Sequence, residues 1–205
     1  MTLTLFATKN SCSLATHIAL EEAGATYTLH KIDTAGGEQR TPAYLKINAK
    51  GRVPALATEQ GVLTENVALL QYVAQSYPQA NLVPQDAFAL AKMNAFNSYL
   101  SSTVHVNHAH KMRGTRWTDD AAAVESMKAK VPETMTGCAA LIEAEFLQGP
   151  WVMGEQFTVA DGYLLTITEW FDGDGVDLSK FPKIEAHRSA MMKRPAVQRV
   201  LAMLQ

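Results

Sequence analysis

Cysteine is scarce in this 205-residue sequence, and its scarcity excludes small domains that depend on cross-links. Cys12 and Cys138 are the two cysteines, too few for a disulfide framework. Neither belongs to a C-x-x-C or similar spacing of the kind that indicates a zinc site. Two free thiols suit a reducing compartment, so we expect a cytoplasmic protein.

An excess of one charge sign and a long apolar run are also missing. The chain has 18 Lys and Arg against 20 Asp and Glu, a formal net charge of -2, and no basic stripe with interleaved aromatic residues. We therefore expect no nucleic-acid partner and no binding to anionic membranes. Without an apolar stretch of membrane-spanning length or a charged segment leading into one, the sequence predicts neither a membrane span nor a signal peptide.

The chain divides into two regions that differ in their predicted secondary structure. Because 47% of its residues are hydrophobic, it can form a substantial core. Residues 1–80 alternate between strand and helix signals, and residues 87–205 are helical in pattern. The intervening residues, which include Pro84, are typical of a linker. The predicted strands cover residues 2–5, 27–32, 53–57 and 62–63; the predicted helices include one ending at Gly24, a short one from Thr41, and longer ones over 65–77 and 88–112.

Cys12 follows the first predicted strand and begins the first predicted helix. Unpaired N–H groups and the positive end of the helix dipole favour a thiolate there, so we expect a lowered thiol pKa and a reactive side chain. The alternative is a buried structural cysteine, which is common for this residue type. The residues alone leave both interpretations open.

Two further points in the first region suggest a ligand site. Pro54 begins a strand, where its missing N–H is tolerated, and on local grounds an ordinary trans bond is favoured. Thr64, Glu65 and Asn66 open a helix, with Thr64 as the expected cap and Glu65 in the first turn. Free N–H groups at this end suit a carboxylate ligand, although plain capping is the preferred local interpretation.

The predicted helix over 88–112 has a polar stripe beside its apolar one. The stripe comprises Asn94, Asn97, Ser101, His105 and His108, and such a row indicates a wall facing water or a ligand. The spacing of His105, His108 and His110 also raises a metal site, but no cysteine or carboxylate nearby completes a ligand set, so solvated histidines are preferred. Further along, Thr158 and Asp161 have the spacing of a reciprocal helix cap.

Taken in order, these motifs resemble the cytosolic glutathione transferases along nearly the whole chain. Ser11-Cys12-Ser13-Leu14 with His17-Ile18-Ala19-Leu20 is similar to the N-terminal motif of the bacterial beta class. The stretches 36–42, 48–56, 64–66 and 101–105 then resemble the family's connector, cis-proline loop, γ-glutamyl site and histidine position, and 157–161 its C-terminal capping box. The resemblance implies a thioredoxin-like N-terminal domain, an all-helical C-terminal domain and a homodimer.

The resemblance also implies roles for individual residues. Cys12 would approach the glutathione sulfur with His105 beside it, Val53 would offer its backbone to the cysteinyl part, and Pro54 would be cis. The remaining implied glutathione contacts are Glu65 and Asn66 at the γ-glutamyl end, and Ser102. At the glycine end the implied partner is Arg40, Gln39 or no charged residue at all. The chain departs from the family pattern in having Asn66 for Ser or Gly, Ala49 for Pro, and no lysine near Gly37.

The implied activity is conjugation of reduced glutathione to small hydrophobic electrophiles, with no metal required. Disulfide or peroxide reduction through Cys12 is a second implied chemistry, because a cysteine can exchange disulfides. A non-catalytic glutathione-binding or regulatory module is the alternative from another class. Residues expected around the electrophile are Met112, Trp117, Trp170 and Phe171; core packing is the competing interpretation, and is preferred for Trp170.

Overall fold

The N-terminal domain is a four-stranded sheet covered by short helices. The computed structural model describes residues 2–204. The sheet has the order β2-β1-β3-β4, with β1 parallel to β2 and the other pairs antiparallel. Its strands are β1 (Leu3–Ala7), β2 (Tyr27–Lys31), β3 (Ala55–Thr58) and β4 (Gly61–Thr64). The strand β3 begins after Pro54, which has no N–H to contribute to the ladder.

Helices flank this sheet and form most of the C-terminal domain. The N-terminal domain contains α1 (Ser13–Glu22), α2 (Pro42–Leu45) and α3 (Asn66–Ser76). The C-terminal domain contains α4 (Ala87–Tyr99), α5 (His105–Arg113), α6 (Ala121–Leu141), α7 (Val159–Phe171), α8 (Pro182–Met192) and α9 (Pro195–Met203). The predicted architecture, an α/β domain followed by an all-α domain, is confirmed.

The helix predicted over 88–112 contains an irregularity that the sequence pattern did not reveal. A π-helical turn over Leu100–Val104 joins α4 to α5. A π turn holds more residues than an α turn, so side chains after it occupy faces that a regular helix would not give them. This shift decides which polar residues of the helix reach the functional site.

One hydrophobic core spans both domains and fixes their relative position. Leu3 and Leu5 of β1 belong to the same buried cluster as Phe96 and Tyr163 of the C-terminal domain. Where α1 and α7 cross, a methyl group on Gly162 would lie 3.3 Å from Ile18 Cγ2, so glycine permits the close approach. The start of α1, with Cys12, is thereby brought beside the C-terminal domain.

The start of α7 is anchored by a buried carboxylate. The predicted capping box is confirmed: the Thr158 N–H donates to Asp161 Oδ2 at 2.7 Å. Asp161 Oδ1 also accepts from the Val152 N–H at 2.8 Å and contacts His187 Nε2 at 3.1 Å. Helix α7 carries two residues of the site, so this anchor positions them. Within residues 2–204, no helix combines the length and the apolar character needed to cross a membrane.

Candidate functional site

A cleft of about 760 Å³ lies between the two domains and contains most of the predicted site residues. The lining residues that belong to the first domain form what we call the N-terminal wall. They include Cys12, Arg40, Arg52, Val53, Pro54, Glu65 and Asn66. The C-terminal wall comprises Ser98, Ser101, His105, His108, Met112, Arg113, Thr115, Arg116, Tyr163 and Trp170. The structure therefore brings together residues as distant in the printed sequence as Cys12 and Trp170, which are 158 positions apart.

Cys12 is the N-cap residue of α1 and points toward the cis-proline loop. Its Sγ donates to the Val53 carbonyl oxygen at 3.5 Å. The flanking serines hold the loop before α1, since the hydroxyls of Ser11 and Ser13 donate to the Thr8 carbonyl at 2.9 and 3.1 Å. Ser13 is fully buried, so its hydroxyl has a structural role.

The expected lowering of the Cys12 pKa is wrong. Burial raises the pKa of this thiol from 9.0 to about 11, and the opposing positive charge of Arg113 is too weak to reverse the effect. A cysteine that begins a helix need not be a thiolate when the surrounding protein desolvates its sulfur, although Cys12 remains partly exposed in the cleft. At neutral pH, Cys12 is a thiol and a hydrogen-bond donor.

Two side chains stabilise the cis-proline loop by hydrogen bonds to its backbone. The Val53–Pro54 bond is cis, which confirms the prediction drawn from the resemblance. The hydroxyl of Tyr44 and the amide of Asn48 both donate to the Arg52 carbonyl, at 2.9 and 2.7 Å. These bonds present the loop to the cleft opposite Cys12.

The start of α3 differs from the prediction in one residue. The cap is Glu65, not Thr64, and Glu65 has a φ of 70°, a conformation that favours glycine. Thr64 instead ends β4, and its hydroxyl accepts a bond from Lys50 Nζ at 2.8 Å. Strained residues of this kind cost about 1–3 kcal/mol and are concentrated at functional sites, so the geometry is consistent with a ligand role for Glu65.

Asn66 is buried and only partly satisfied. Thr16 Oγ1 donates to Asn66 Oδ1 at 2.6 Å, which links α1 to the start of α3. Asn66 Nδ2 has no hydrogen-bond partner of normal geometry among the described residues. Its side chain is close to Tyr163, whose phenol pKa is raised by burial, and the amide only partly opposes that rise. The amide nitrogen is therefore a free donor at the edge of the cleft.

The π turn interrupts the predicted polar stripe, and only some of the stripe residues line the cleft. Ser101, His105 and His108 line the cleft as predicted, but Asn94 binds Gln71 at 2.5 Å and Asn97 is fully buried. The predicted glutathione contact at Ser102 is not supported by this geometry, because Ser102 is exposed outside the cleft and its hydroxyl donates to the Ser98 carbonyl at 2.8 Å.

His105 and His108 pack on Trp170 but differ in their partners. Their ring centroids lie 4.9 and 4.2 Å from that of Trp170. Burial lowers the pKa of His105 to about 4, and the charges of His108 and Arg113 act in the same direction. His105 is therefore neutral at pH 7. His108 Nδ1 is 2.6 Å from the buried carboxylate of Asp174, a partner that lies 66 residues away in the sequence.

The family of the chain follows from comparison with known proteins. The model of the glutathione S-transferase N-terminal domain matches residues 1–75, and that of the C-terminal domain matches residues 86–195. The chain belongs to the glutathione S-transferase family. Its N-terminal domain is accordingly thioredoxin-like, and the predicted family and fold are confirmed.

Individual transferases are similar over nearly their whole length. Glutathione S-transferase GstA of Escherichia coli O157:H7 is 30% identical over 201 residues, covering 97% of this chain and 96% of the relative. A glutathione transferase homologue from Sulfitobacter, solved with bound glutathione, is 48% identical with a TM-score of 0.97 and 98% coverage of both chains. A bacterial beta-class enzyme from Sphingomonas chungbukensis is 30% identical, with a TM-score of 0.84 and the same coverage.

Of the four residues expected around the electrophile, the transferase places two in the cleft. Met112 and Trp170 line it, the latter despite the preference for core packing. Trp117 is outside the lining and packs edge-on against His110, with centroids 4.5 Å apart. Phe171 is fully buried in the core, because it follows Trp170 on α7 and points to another face.

Among the cleft residues of the transferase that sequence reasoning missed are one tyrosine and two arginines. Tyr163 lies on α7, and burial raises the pKa of its phenol. Arg113 is the last residue of the histidine-rich helix α5, and Arg116 follows it at a spacing of three. That spacing was the available signal for the arginines, whereas nothing local distinguished Tyr163 from a core tyrosine.

The second cysteine, Cys138, lies away from the cleft. Cys138 is buried, and the side-chain amide of Asn107 donates to its sulfur at 3.4 Å. Within residues 2–204, no group of three His, Cys, Asp or Glu side chains is arranged to hold a metal ion. The two cysteines thus differ in access, since Cys12 alone of the pair lines the cleft.

Proposed function

We propose that this transferase conjugates reduced glutathione to small electrophiles in the cleft between its domains. The observation that carries the proposal is the meeting, in one cleft, of the Cys12 thiol, the cis-proline loop and the start of α3. Each offers a group that glutathione needs: a donor for its sulfur, a backbone for its cysteinyl part, and partners for its charged γ-glutamyl end.

In the proposed complex, glutathione lies along the N-terminal wall. Its γ-glutamyl ammonium pairs with the Glu65 carboxylate, and its α-carboxylate accepts from the free Asn66 amide and the N–H groups of α3. Its cysteinyl backbone binds Val53. Its glycine carboxylate lies by Arg40, whose side chain lies against Gly51 and so beside the cis-proline loop.

The protonated Cys12 suits a donor role better than a nucleophilic one. Its S–H would donate to the glutathione thiolate instead of to the Val53 carbonyl, while Arg113 adds positive charge near the sulfur. Lowering the glutathione pKa by one unit needs about 1.4 kcal/mol, which one charge-assisted hydrogen bond supplies. We assign neutral His105, which lines the other wall, the role of a polar partner that orients the glutathione thiol; a pKa of about 4 makes it a weak base.

Disulfide or peroxide reduction is the second candidate, favoured by the presence of a cysteine thiol in the cleft itself. The Cys12 thiolate would attack a glutathione disulfide, form a mixed disulfide and release one glutathione thiolate. The raised pKa of Cys12 makes this step slow at pH 7, so we rank it below conjugation. A non-catalytic glutathione-binding module is the remaining alternative.

We extend the proposal to the class, assembly and location of the protein. Cys12 and the likeness to the Sphingomonas enzyme support membership of the beta class. Exposed apolar side chains at Val62 on the edge strand β4 and at Phe88 on α4 support a homodimer, which light scattering would test. Two free cysteines support a cytoplasmic location, and the pattern of the sequence supports domains over 1–80 and 87–205.

Calorimetric titration with glutathione, followed by conjugation assays with chlorodinitrobenzene, tests the proposed function. We expect glutathione to bind, conjugation by the unmodified protein, a fall of about ten- to hundredfold in kcat/KM for Cys12→Ala, and a smaller fall for Cys12→Ser, which retains a donor. Cys138→Ala is the matched control. Binding without conjugation or disulfide reduction would support the non-catalytic module, and no binding at millimolar glutathione would refute the proposal.

A further inference from the structure

Four arginine side chains, two from each wall, face the cleft without a carboxylate partner. Arg40 and Arg52 belong to the N-terminal wall, and Arg113 and Arg116 to the C-terminal wall. None of the four guanidinium groups forms an ion pair or a side-chain hydrogen bond with a described residue. The three remaining arginines, Arg188, Arg194 and Arg199, each bind a glutamate, at 2.8, 2.5 and 2.6 Å.

The cleft is therefore strongly positive in a chain that is slightly negative overall. Among the described residues, its lining contains five cationic side chains, the four arginines and Lys9, and one carboxylate, Glu65. Glu65 is already 3.3 Å from Lys50. Burial and the charges of Arg113, Arg52 and Arg40 lower the pKa of Arg116, which shows that these cations are close enough to repel one another. Such a cluster favours anions.

Glutathione accounts for only part of this charge. In the proposed complex, its ammonium and α-carboxylate compensate each other at Glu65 and Asn66. Its glycine carboxylate lies by Arg40 and Arg52, on the N-terminal wall. Arg113 and Arg116 remain on the C-terminal wall. Arg113 is close enough to Cys12 for its charge to act on the thiol, and Arg116 lies in turn close to Arg113, so Arg113 is the member of the pair nearer to the reacting sulfur. The position is where a second substrate would lie.

We propose that the second substrate is an electrophile that bears a carboxylate, which Arg113 and Arg116 bind next to the glutathione sulfur. This inference rests on the proposed function and specifies its substrate class. The guanidinium fork matches a carboxylate in shape and binds it through two parallel hydrogen bonds. Met112 and Trp170, on the same wall, would contact the apolar body of the molecule.

A matched pair of aryl chlorides provides the probes. Chloronitrobenzoate, with chlorine ortho to the nitro group and para to the carboxylate, is compared with chloronitrobenzamide of the same substitution. In each reaction the glutathione sulfur donates an electron pair to the chlorine-bearing ring carbon, a C–S bond forms, chloride leaves with its bonding pair, and the thiol proton passes to solvent. Enzymatic kcat/KM values are divided by the uncatalysed rate constants, because the two rings differ in reactivity.

We expect the unmodified enzyme to prefer the benzoate over the benzamide in this normalised comparison. Arg116→Gln should reduce the preference by about ten- to hundredfold, the range for one hydrogen bond between charged groups. Arg116→Lys retains the charge and should preserve most of the preference. Lys193→Gln, which removes an exposed cation outside the cleft, is the matched control and should leave the preference intact. Added salt should weaken the preference.

A binding measurement separates this inference from the proposed function. Calorimetry compares the two reaction products, the carboxylated and the carboxamide S-aryl glutathiones, for the enzyme and for Arg116→Gln. If Arg116→Gln loses affinity only for the carboxylated conjugate, the inference is supported even if turnover is absent. If the variant loses affinity equally for both conjugates, Arg116 binds the glycine carboxylate of glutathione and the inference is overturned. Turnover of both chlorides without a preference would also overturn it, while leaving the proposed function standing.

Discussion

On the N-terminal wall of the cleft, Cys12 and Asn66 are held by hydrogen bonds to Val53 and Thr16, whereas on the C-terminal wall Arg113 and Arg116 carry charge without a carboxylate partner. Around Cys12 and Asn66, the first wall fixes side chains by hydrogen bonds before any ligand arrives. Its arginines, Arg40 and Arg52, have no carboxylate partner among the described residues, as is also true of the two arginines of the second wall. The hydrogen-bonded part of the N-terminal wall therefore supplies geometry, and the arginines of both walls supply electrostatic attraction.

The difference follows from what each wall is built on. The N-terminal wall uses chain turns and helix starts, where backbone groups are free by necessity. The C-terminal wall uses side chains of one long irregular helix and of α7, positioned by packing. Substitutions can therefore alter either the residues that position a wall or the charges that the wall carries. We expect the resulting changes in stability, thiol reactivity and ligand binding to differ in size.

The largest expected effect comes from removing the anchor of α7. Asp161→Ala would leave the buried His187 and the N–H groups of Val152 and Thr158 without their acceptor. Removing one partner of a buried charged network typically costs about 3–5 kcal/mol, so the free energy of unfolding should fall by that amount. Chemical denaturation measures it.

Asp120→Ala is the matched control for that experiment. Asp120 also caps a helix, accepting from the Ala122 N–H at 2.8 Å, but it is exposed. Its loss should cost about 1 kcal/mol, as for an ordinary cap. Equal losses in the two variants would show that the buried network around Asp161 adds nothing beyond capping.

The next effect concerns the protonation of Cys12. With a pKa of about 11, its alkylation by iodoacetamide should accelerate by about tenfold per pH unit from pH 7 to 10, and at pH 7 it should be about a hundredfold slower than for a thiol with a pKa of 9.0. Peptide mass spectrometry follows Cys12 and Cys138 separately. A plateau in the Cys12 rate below pH 8 would show a thiolate and would restore the original expectation.

Sequence reasoning succeeded for features that depend on neighbouring residues and failed for the Cys12 pKa. The strand–helix order, the start of α1 at Cys12, the proline at the head of β3 and the Thr158–Asp161 cap depend on residues close together in the chain. Local patterns of this kind determine local structure, so the fold and much of the N-terminal wall were predictable.

The failures have a common cause in tertiary structure. The pKa of Cys12 depends on how the folded chain desolvates its thiol, and the pairing of His108 with Asp174 joins segments 66 residues apart. The contact at Ser102 was implied by the family resemblance and not by helical spacing, and the structure leaves Ser102 exposed outside the cleft. The arginine cluster comes from four points on two domains, and no pattern within one segment reveals such a meeting.

A smaller effect is expected for the strained cap of α3. Glu65→Gln removes the carboxylate proposed to bind the glutathione ammonium, and should weaken glutathione binding by roughly 1–3 kcal/mol, as for a hydrogen bond to a charged group. Calorimetry gives the change in Kd. Glu155→Gln, at an exposed position outside the cleft, is the control. Unchanged affinity in Glu65→Gln would remove Glu65 from the γ-glutamyl site.

The smallest effect should come from a cation of the first domain that already has partners. Lys50 Nζ is 3.3 Å from Glu65 Oε1 and donates to Thr64 Oγ1 at 2.8 Å, and both ends of the ion pair are largely exposed. Exposed pairs contribute less than about 1 kcal/mol, so Lys50→Gln should lower the free energy of unfolding by no more than that, and less in high salt.

Lys50→Gln also sharpens the contrast between the walls. It removes one positive charge, as Arg116→Gln does, but from a residue whose charge is already compensated by a neighbouring carboxylate. The preference for chloronitrobenzoate over chloronitrobenzamide should therefore survive in Lys50→Gln and fall in Arg116→Gln. Parallel assays of the two variants at equal ionic strength measure this. If both variants lost the preference equally, the net charge of the protein, and not the uncompensated pair on the C-terminal wall, would be what attracts the anionic substrate.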